Sequence, residues 1–172
     1  HSSTHLTHSH KTMPGIYNYN YSLSFWIFIH EQPPNHGPFY NTFASIINFG
    51  NKPQILYNMQ KQLLQIKVKT QPKKDTIIFE TSELPMQKWH NFVLNFVGGT
   101  LDIFINNKIV AVKENIVPHS ANDIITIGQK NGLSGGICNV IYFPSFLSKL
   151  KISLYYHTLR NLNTPILPNC NI

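Results

Sequence analysis

The residues of this chain that could do acid–base chemistry are few: Glu31, Asp75, Glu80, Glu83, Asp102, Glu114 and Asp123 are its entire carboxylate inventory. Bond cleavage by paired carboxylates needs two of them roughly 5–10 Å apart in one cleft. The closest pair in sequence, Glu80 and Glu83, has an odd spacing that sends the two groups to opposite faces of a continuing strand. They read as solvated strand-end charges. Nucleophile chemistry has no better footing. Ser134-Gly135-Gly136 reads as a turn rather than as a nucleophile elbow, and neither cysteine has a plausible histidine beside it. His90 falls on the apolar side of an alternating stretch and reads as a hydrogen-bonded core histidine. No residue is assigned a catalytic role, and the expected class is a non-enzyme.

Metal chemistry is similarly thin. Cys138 and Cys170 form no Cys-x-x-Cys and lack a spaced His pair, so they are either two thiols or one bridge. His1, His5, His8 and His10 cluster in a polar opening where nothing fixes the geometry a metal demands. Calcium wants about six to eight oxygens, much of its affinity coming from carboxylates. Asp123, in Ser120-Ala121-Asn122-Asp123, is the best-placed aspartate to join such a site, against the simpler reading of an Asx turn. No cofactor beyond that one calcium candidate is implied.

Binding chemistry is better supplied. Fourteen Lys and Arg against seven Asp and Glu give a net charge of +7, and Arg160 is the only arginine. Nucleic-acid readers lean on Arg for bidentate contacts, so this Lys surplus argues for diffuse attraction to anionic surfaces and against base reading. The best-defined basic patch alternates Lys67 and Lys69 along Leu63–Thr70, with Lys61, Lys73 and Lys74 flanking. It reads as a salt-sensitive anion surface or as a strand protected by lysine. Asn35, His36, Phe39 and Tyr40 in one loop, and Gln129-Lys130-Asn131-Gly132 in another, offer aromatic and amide groups of the kind that stack on sugars and hydrogen-bond them. Asn20-Tyr21-Ser22 is a glycosylation sequon.

The elements that must position these groups are mostly strands. The chain is 42% hydrophobic and only 12% charged, with 19 asparagines supplying polarity instead. Residues 1–15 are polar without apolar period and read as a flexible leader; residues 16–172 read as one domain. Period-two alternation predicts strands at Tyr21–Ile29, Phe43–Phe49, Gln54–Asn58, Leu63–Thr70, Thr76–Glu80, Trp89–Val97, Thr100–Ile105, Lys108–Lys113, Ile124–Ile127 and Gly136–Phe143. Gly98-Gly99 and Asn106-Asn107 tolerate the positive φ of two-residue turns, which makes residues 89–113 a meander. One helix is expected, capped by Ser148 and running to Arg160. The fold class is all-β, a two-sheet antiparallel sandwich with one short C-terminal helix. No run reaches the ~18 apolar residues of a membrane span, and no signal peptide is visible. Because the first residue is His1, a fragment or processed product is expected, with any anchor or signal upstream.

The stretch Gln87-Lys88-Trp89-His90-Asn91-Phe92-Val93-Leu94-Asn95-Phe96, followed by Gly98-Gly99-Thr100-Leu101-Asp102-Ile103-Phe104-Ile105-Asn106, resembles the signature hairpin of laminin-G-like domains of the concanavalin A-like lectin/glucanase superfamily. Tyr21–Ile29, Ile127-Gly128 with Gly135-Gly136-Ile137-Cys138, and Phe146-Leu147-Ser148 through Tyr155 fit the same order, so the resemblance covers roughly residues 16–163. Asn107 stands where the family usually has Gly. The Asn/Lys/Ile-rich style is also similar to such domains encoded by large DNA viruses. The resemblance implies a jelly roll and a non-catalytic extracellular or virion-surface module that binds glycan or a protein receptor. Its alternative is a structural accessory of a larger assembly. A glycoside hydrolase is disfavoured, because the alternating Glu-x-Asp-x-x-Glu of the family's glucanases is missing. The family also implies sulfated-glycan binding by the lysine patch, and a Cys138–Cys170 disulfide pinning the tail in an oxidising setting.

Overall fold

A computed structural model of the chain describes residues 4–7, 20–33, 40–71, 74–119, 124–130 and 132–162. The strands are β1 (Thr4–Thr7), β2 (Tyr21–Ile29), β3 (Ala44–Phe49), β4 (Gln54–Asn58), β5 (Leu63–Gln71) and β6 (Lys74–Thr81). They continue with β7 (Trp89–Val97), β8 (Thr100–Ile105), β9 (Lys108–Lys113), β10 (Ile124–Ile127) and β11 (Gly135–Phe143), followed by one helix among the described residues, α1 (Lys149–Leu162). All pairings are antiparallel. The fold is the expected two-sheet jelly-roll β-sandwich with a C-terminal helix, built from a sheet ordered β1-β10-β3-β4-β5-β6 and a sheet ordered β11-β2-β7-β8-β9. A compact unit forms around each sheet.

In the six-stranded unit, alternation puts Ile47, Ile55, Tyr57, Leu64, Ile66 and Val68 on one fully buried face. The second face carries Gln54, Leu56, Gln65, Lys67 and Lys69, because cross-strand partners share a face and Gln54 pairs with Lys67 and Leu56 with Gln65. Two expectations shift here. The stretch read as a flexible leader contains β1, whose Thr4–Thr7 pairs with β10; threonine is a good strand former, but four residues are too few to show a period. The strand expected at Thr76–Glu80 is longer, and a register shift between Ile66 and Lys67 re-aims it.

In the five-stranded unit, Leu23, Phe25, Phe92, Leu94, Phe96, Leu101 and Ile103 form the buried apolar face, with Phe25 stacked on Phe92 at 5.4 Å between centroids. The meander turns as its residues dictate: Gly98, Gly99, Asn106 and Asn107 all have positive φ. Gly135 opens β11 where a Cβ would stand 2.2 Å from the Phe28 carbonyl oxygen, so only glycine lets the strands approach. On the second face, Ile152 of α1 packs with Val93, Phe104, Leu147 and Phe143, and Tyr156 stacks on Trp26 at 5.5 Å. Ser148 caps α1, its hydroxyl accepting from Lys151 N–H at 3.4 Å.

Candidate ligand-binding face and rim

The second face of the six-stranded sheet gathers several of the candidate residues. Lys67 and Lys69 sit two apart on β5, hence about 7 Å apart on one side of the strand. Lys67 Nζ lies 5.6 Å from the centroid of Phe43, within cation–π range. The polar neighbours temper the charge: Asp75 pairs directly opposite Lys69, and Glu80 opposite Gln65. The Gln65 amide donates to Glu80 Oε1, while its own Oε1 is buried without a partner. Lys74, on β6, is exposed and pairs with Gln71.

The rim at the Asn58 end of this face is assembled by backbone geometry. Asn58, only 2% exposed, accepts from Lys61 N–H at 2.9 Å and donates to the Asn41 carbonyl at 3.2 Å. Gln60 N–H donates to the Tyr40 carbonyl at 3.0 Å. The short loop 59–62 and the segment Tyr40–Phe43 are thereby tied side by side. The result is a strip of Tyr40, Asn41, Gln60 and Lys61 running on to Phe43 and Lys67. It offers aromatic faces, amides and two ammonium groups, the chemistry that stacks on sugar rings and pairs with their anionic substituents. Asn41, Phe43, Asn58 and Gln60 were not singled out by sequence. The one available signal was the cluster of amides and aromatics either side of β3, which is too common in this chain to stand out.

Other candidates fall elsewhere. Asn35, Lys73, Asn131, Asp123 and Cys170 lie outside the described residues, so the calcium and disulfide expectations have one or both members there. Cys138 is buried on β11, opposite Trp26. Asn20 is exposed, and its Oδ1 accepts from Gly98 N–H at 2.9 Å, while Ser22 of the sequon is fully buried. His90 is the expected core histidine, 6% exposed with Nδ1 3.0 Å from Asn106 Nδ2. Among the described residues, no three His, Cys, Asp or Glu side chains are grouped to hold a metal.

Burial pushes the Tyr57 phenol up, on the apolar face of the same sheet, where its hydroxyl has no hydrogen-bond partner. Partial burial also raises Asp102, on β8 between Asn95 and Val112.

Compared by sequence with protein-family models and with curated proteins, the chain has no match. Solved structures do match it. The receptor binding domain of botulinum neurotoxin D aligns with a TM-score of 0.65 at 18% identity, over 87% of this chain and 39% of that one. The botulinum neurotoxin serotype D ligand binding domain in complex with N-acetylneuraminic acid aligns with a TM-score of 0.64 at 18% identity, over 83% and 37%. The binding domain of botulinum neurotoxin DC in complex with rat synaptotagmin II aligns with a TM-score of 0.64 at 20% identity, over 84% and 37%. The chain thus spans well under half the length of these structures. At such identities the likeness is one of fold, a β-sandwich.

Proposed function

We propose that this chain is a non-catalytic recognition module that binds an anionic glycan along the Tyr40–Lys67 strip. The observation that carries the reading is the backbone tie between Tyr40 and Gln60, which sets the segment leading to Phe43 beside the loop that carries Lys61, with Lys67 in turn over the Phe43 ring. Structures of the same fold that hold N-acetylneuraminic acid or synaptotagmin II support a binding role for such a sandwich. Within this reading the module is laminin-G-like, acts outside the cell or on a virion surface, and closes its tail with a Cys138–Cys170 bridge. Calcium at Asp123 would be an accessory to the rim. Hydrolysis is disfavoured, since Asp75 and Glu80 face Lys69 and Gln65 across the strands rather than each other.

A glycan array carrying sialylated and sulfated probes, run with and without calcium and at two salt concentrations, tests the proposal. Salt-sensitive binding that is weakened in Tyr40→Ala and in Lys61→Ala/Lys67→Ala supports it. Absence of binding to every anionic glycan, or release of sugar from any probe, overturns it. A second reading, a structural accessory, draws on the edge strand β9, whose Ile109, Val110 and Val112 are all exposed. Concentration-dependent oligomers that vanish in Val110→Lys would favour it.

A further inference from the structure

We infer that α1 is a peripheral docking element for lipid bilayers that carry anionic headgroups. The rotation of the helix is fixed from beneath, where Ile152 is 1% exposed and Tyr156 stacks on Trp26. Its outward side therefore carries Leu150 and Leu154, 81% and 64% exposed, and Phe146, three residues before the helix, is 52% exposed. A single exposed leucine is ordinary, but two on one helix face, with an exposed phenylalanine just before it, form an apolar stripe. Exposed Lys149, Lys151 and Arg160 lie around it. Residues 124–172 contain no Asp or Glu at all. Lys149 and Lys151 stand in the first turn, where the helix dipole disfavours cations, so the helix itself does not account for them.

This charge pattern selects among occupants. Pairing α1 with α1 of a second copy would bring cations against cations in either orientation, with no acid on the helix to compensate. A peptide would find no groove on a single helix face to fill, and a folded partner would need a groove lined with acids to meet these cations. A bilayer surface suits both features: the apolar stripe enters the headgroup boundary while the flanking cations reach lipid phosphates. No helix among the described residues is long and apolar enough to cross a membrane, so α1 would lie in the surface plane. The surface involved is distinct from the Tyr40–Lys67 strip, and the inference stands or falls without it.

Co-sedimentation of the full chain with phosphatidylcholine vesicles, with and without phosphatidylserine, reads this out. Binding is expected only with phosphatidylserine, and it should fade with added salt. Leu150→Ser/Leu154→Ser should lower the partition coefficient by about tenfold or more, and Lys149→Ala/Lys151→Ala by about fivefold per cation. All four side chains are exposed, so unchanged near-UV circular dichroism and Tm would certify the fold. No sedimentation with phosphatidylserine vesicles sinks the inference. So does binding retained in the leucine variant but lost in Lys67→Ala/Lys69→Ala, or a solution dimer that Leu150→Ser/Leu154→Ser dissolves.

Discussion

On β7 the residues that alternate with the buried apolar side are Asn91, Val93 and Asn95, and all three are themselves buried; on β5 the equivalent positions are Gln65, Lys67 and Lys69, and only the first is. Both strands present a polar or mixed second face, but the polar groups end differently. Above β7 the segment before α1 docks on the asparagines. Asn95 accepts from Leu147 N–H at 2.9 Å and donates to the Leu147 carbonyl at 3.0 Å, so its amide imitates a rung of backbone ladder. The Ser22 hydroxyl donates to Asn95 Oδ1 and accepts from Leu147 N–H at 3.0 Å. Above β5, Phe43 lies against Lys67, and the half-buried Lys69 stands opposite Asp75 with no segment bonded to its side chain among the described residues. A polar second face is thus a fastening in one sheet and an available surface in the other.

The largest expected effect tests the fastening. Asn95→Ala removes both bonds to Leu147 and one acceptor for Ser22, leaving the Leu147 carbonyl without its amide donor and its N–H held by the Ser22 hydroxyl alone. At about 1 kcal/mol per bond plus the orphaned carbonyl, the loss should be about 3 kcal/mol in urea unfolding, with α1 loosened first. Asn91→Ala, which gives up a 3.2 Å bond to the Phe25 carbonyl, should cost about 1 kcal/mol. Equal losses at the two positions would mean that the Leu147 bracket holds nothing special. On β5, Lys67→Ala/Lys69→Ala should move stability by no more than about 0.5 kcal/mol while weakening glycan binding. A large stability loss there would make the lysines part of the packing.

An intermediate effect comes from Tyr57, fully buried in the six-stranded unit with an unpartnered hydroxyl. Tyr57→Phe keeps the ring and removes the orphan, so stability should rise by about 1 kcal/mol. The phenol's folded pKa is raised, so the folded state holds its proton to higher pH than the unfolded chain does. Wild-type stability should therefore fall as pH climbs above the ordinary tyrosine range, and the variant should fall less steeply. A destabilised Tyr57→Phe would show that the hydroxyl has a partner after all.

The elements were legible in the sequence because their periods and turns agree. Leu101, Ile103 and Ile105 alternate with Asp102 and Phe104, Gly98-Gly99 and Asn106-Asn107 supply positive φ, and the meander formed as those residues predict. Alternation gives a side chain's direction but not what lies above it. Asn95 was visibly opposite Phe92 and Leu94, yet its partner is 52 residues away, a separation no local pattern encodes. The strip was half legible for the same reason: Tyr40, Lys61 and Lys67 have telling residue types, while Asn58 and Phe43 acquire their roles only once β3 and β4 pair. The Lys69–Asp75 pairing depends on register shifts within β5 and β6, which propensity does not fix.

The smallest effect sharpens the contrast at its edge. Asp102 lies opposite Asn95 and Val112, and partial burial raises its carboxyl. With the folded pKa above the unfolded one, the native state binds more protons through that window, so ionisation opposes folding. The chain should lose a little stability as pH rises through the upper carboxylate range and hold that loss at neutral pH. Asp102→Asn removes the charge while keeping the shape, and should stabilise by at most about 0.5 kcal/mol at pH 7, the usual bound for a half-exposed position. The difference should shrink to nothing below the ordinary aspartate pKa, where both chains are neutral at this site. If Asp102→Asn destabilises at pH 7 instead, the carboxylate is engaged as Asn95 is, and the fastening of this sheet extends one strand further toward its β9 edge.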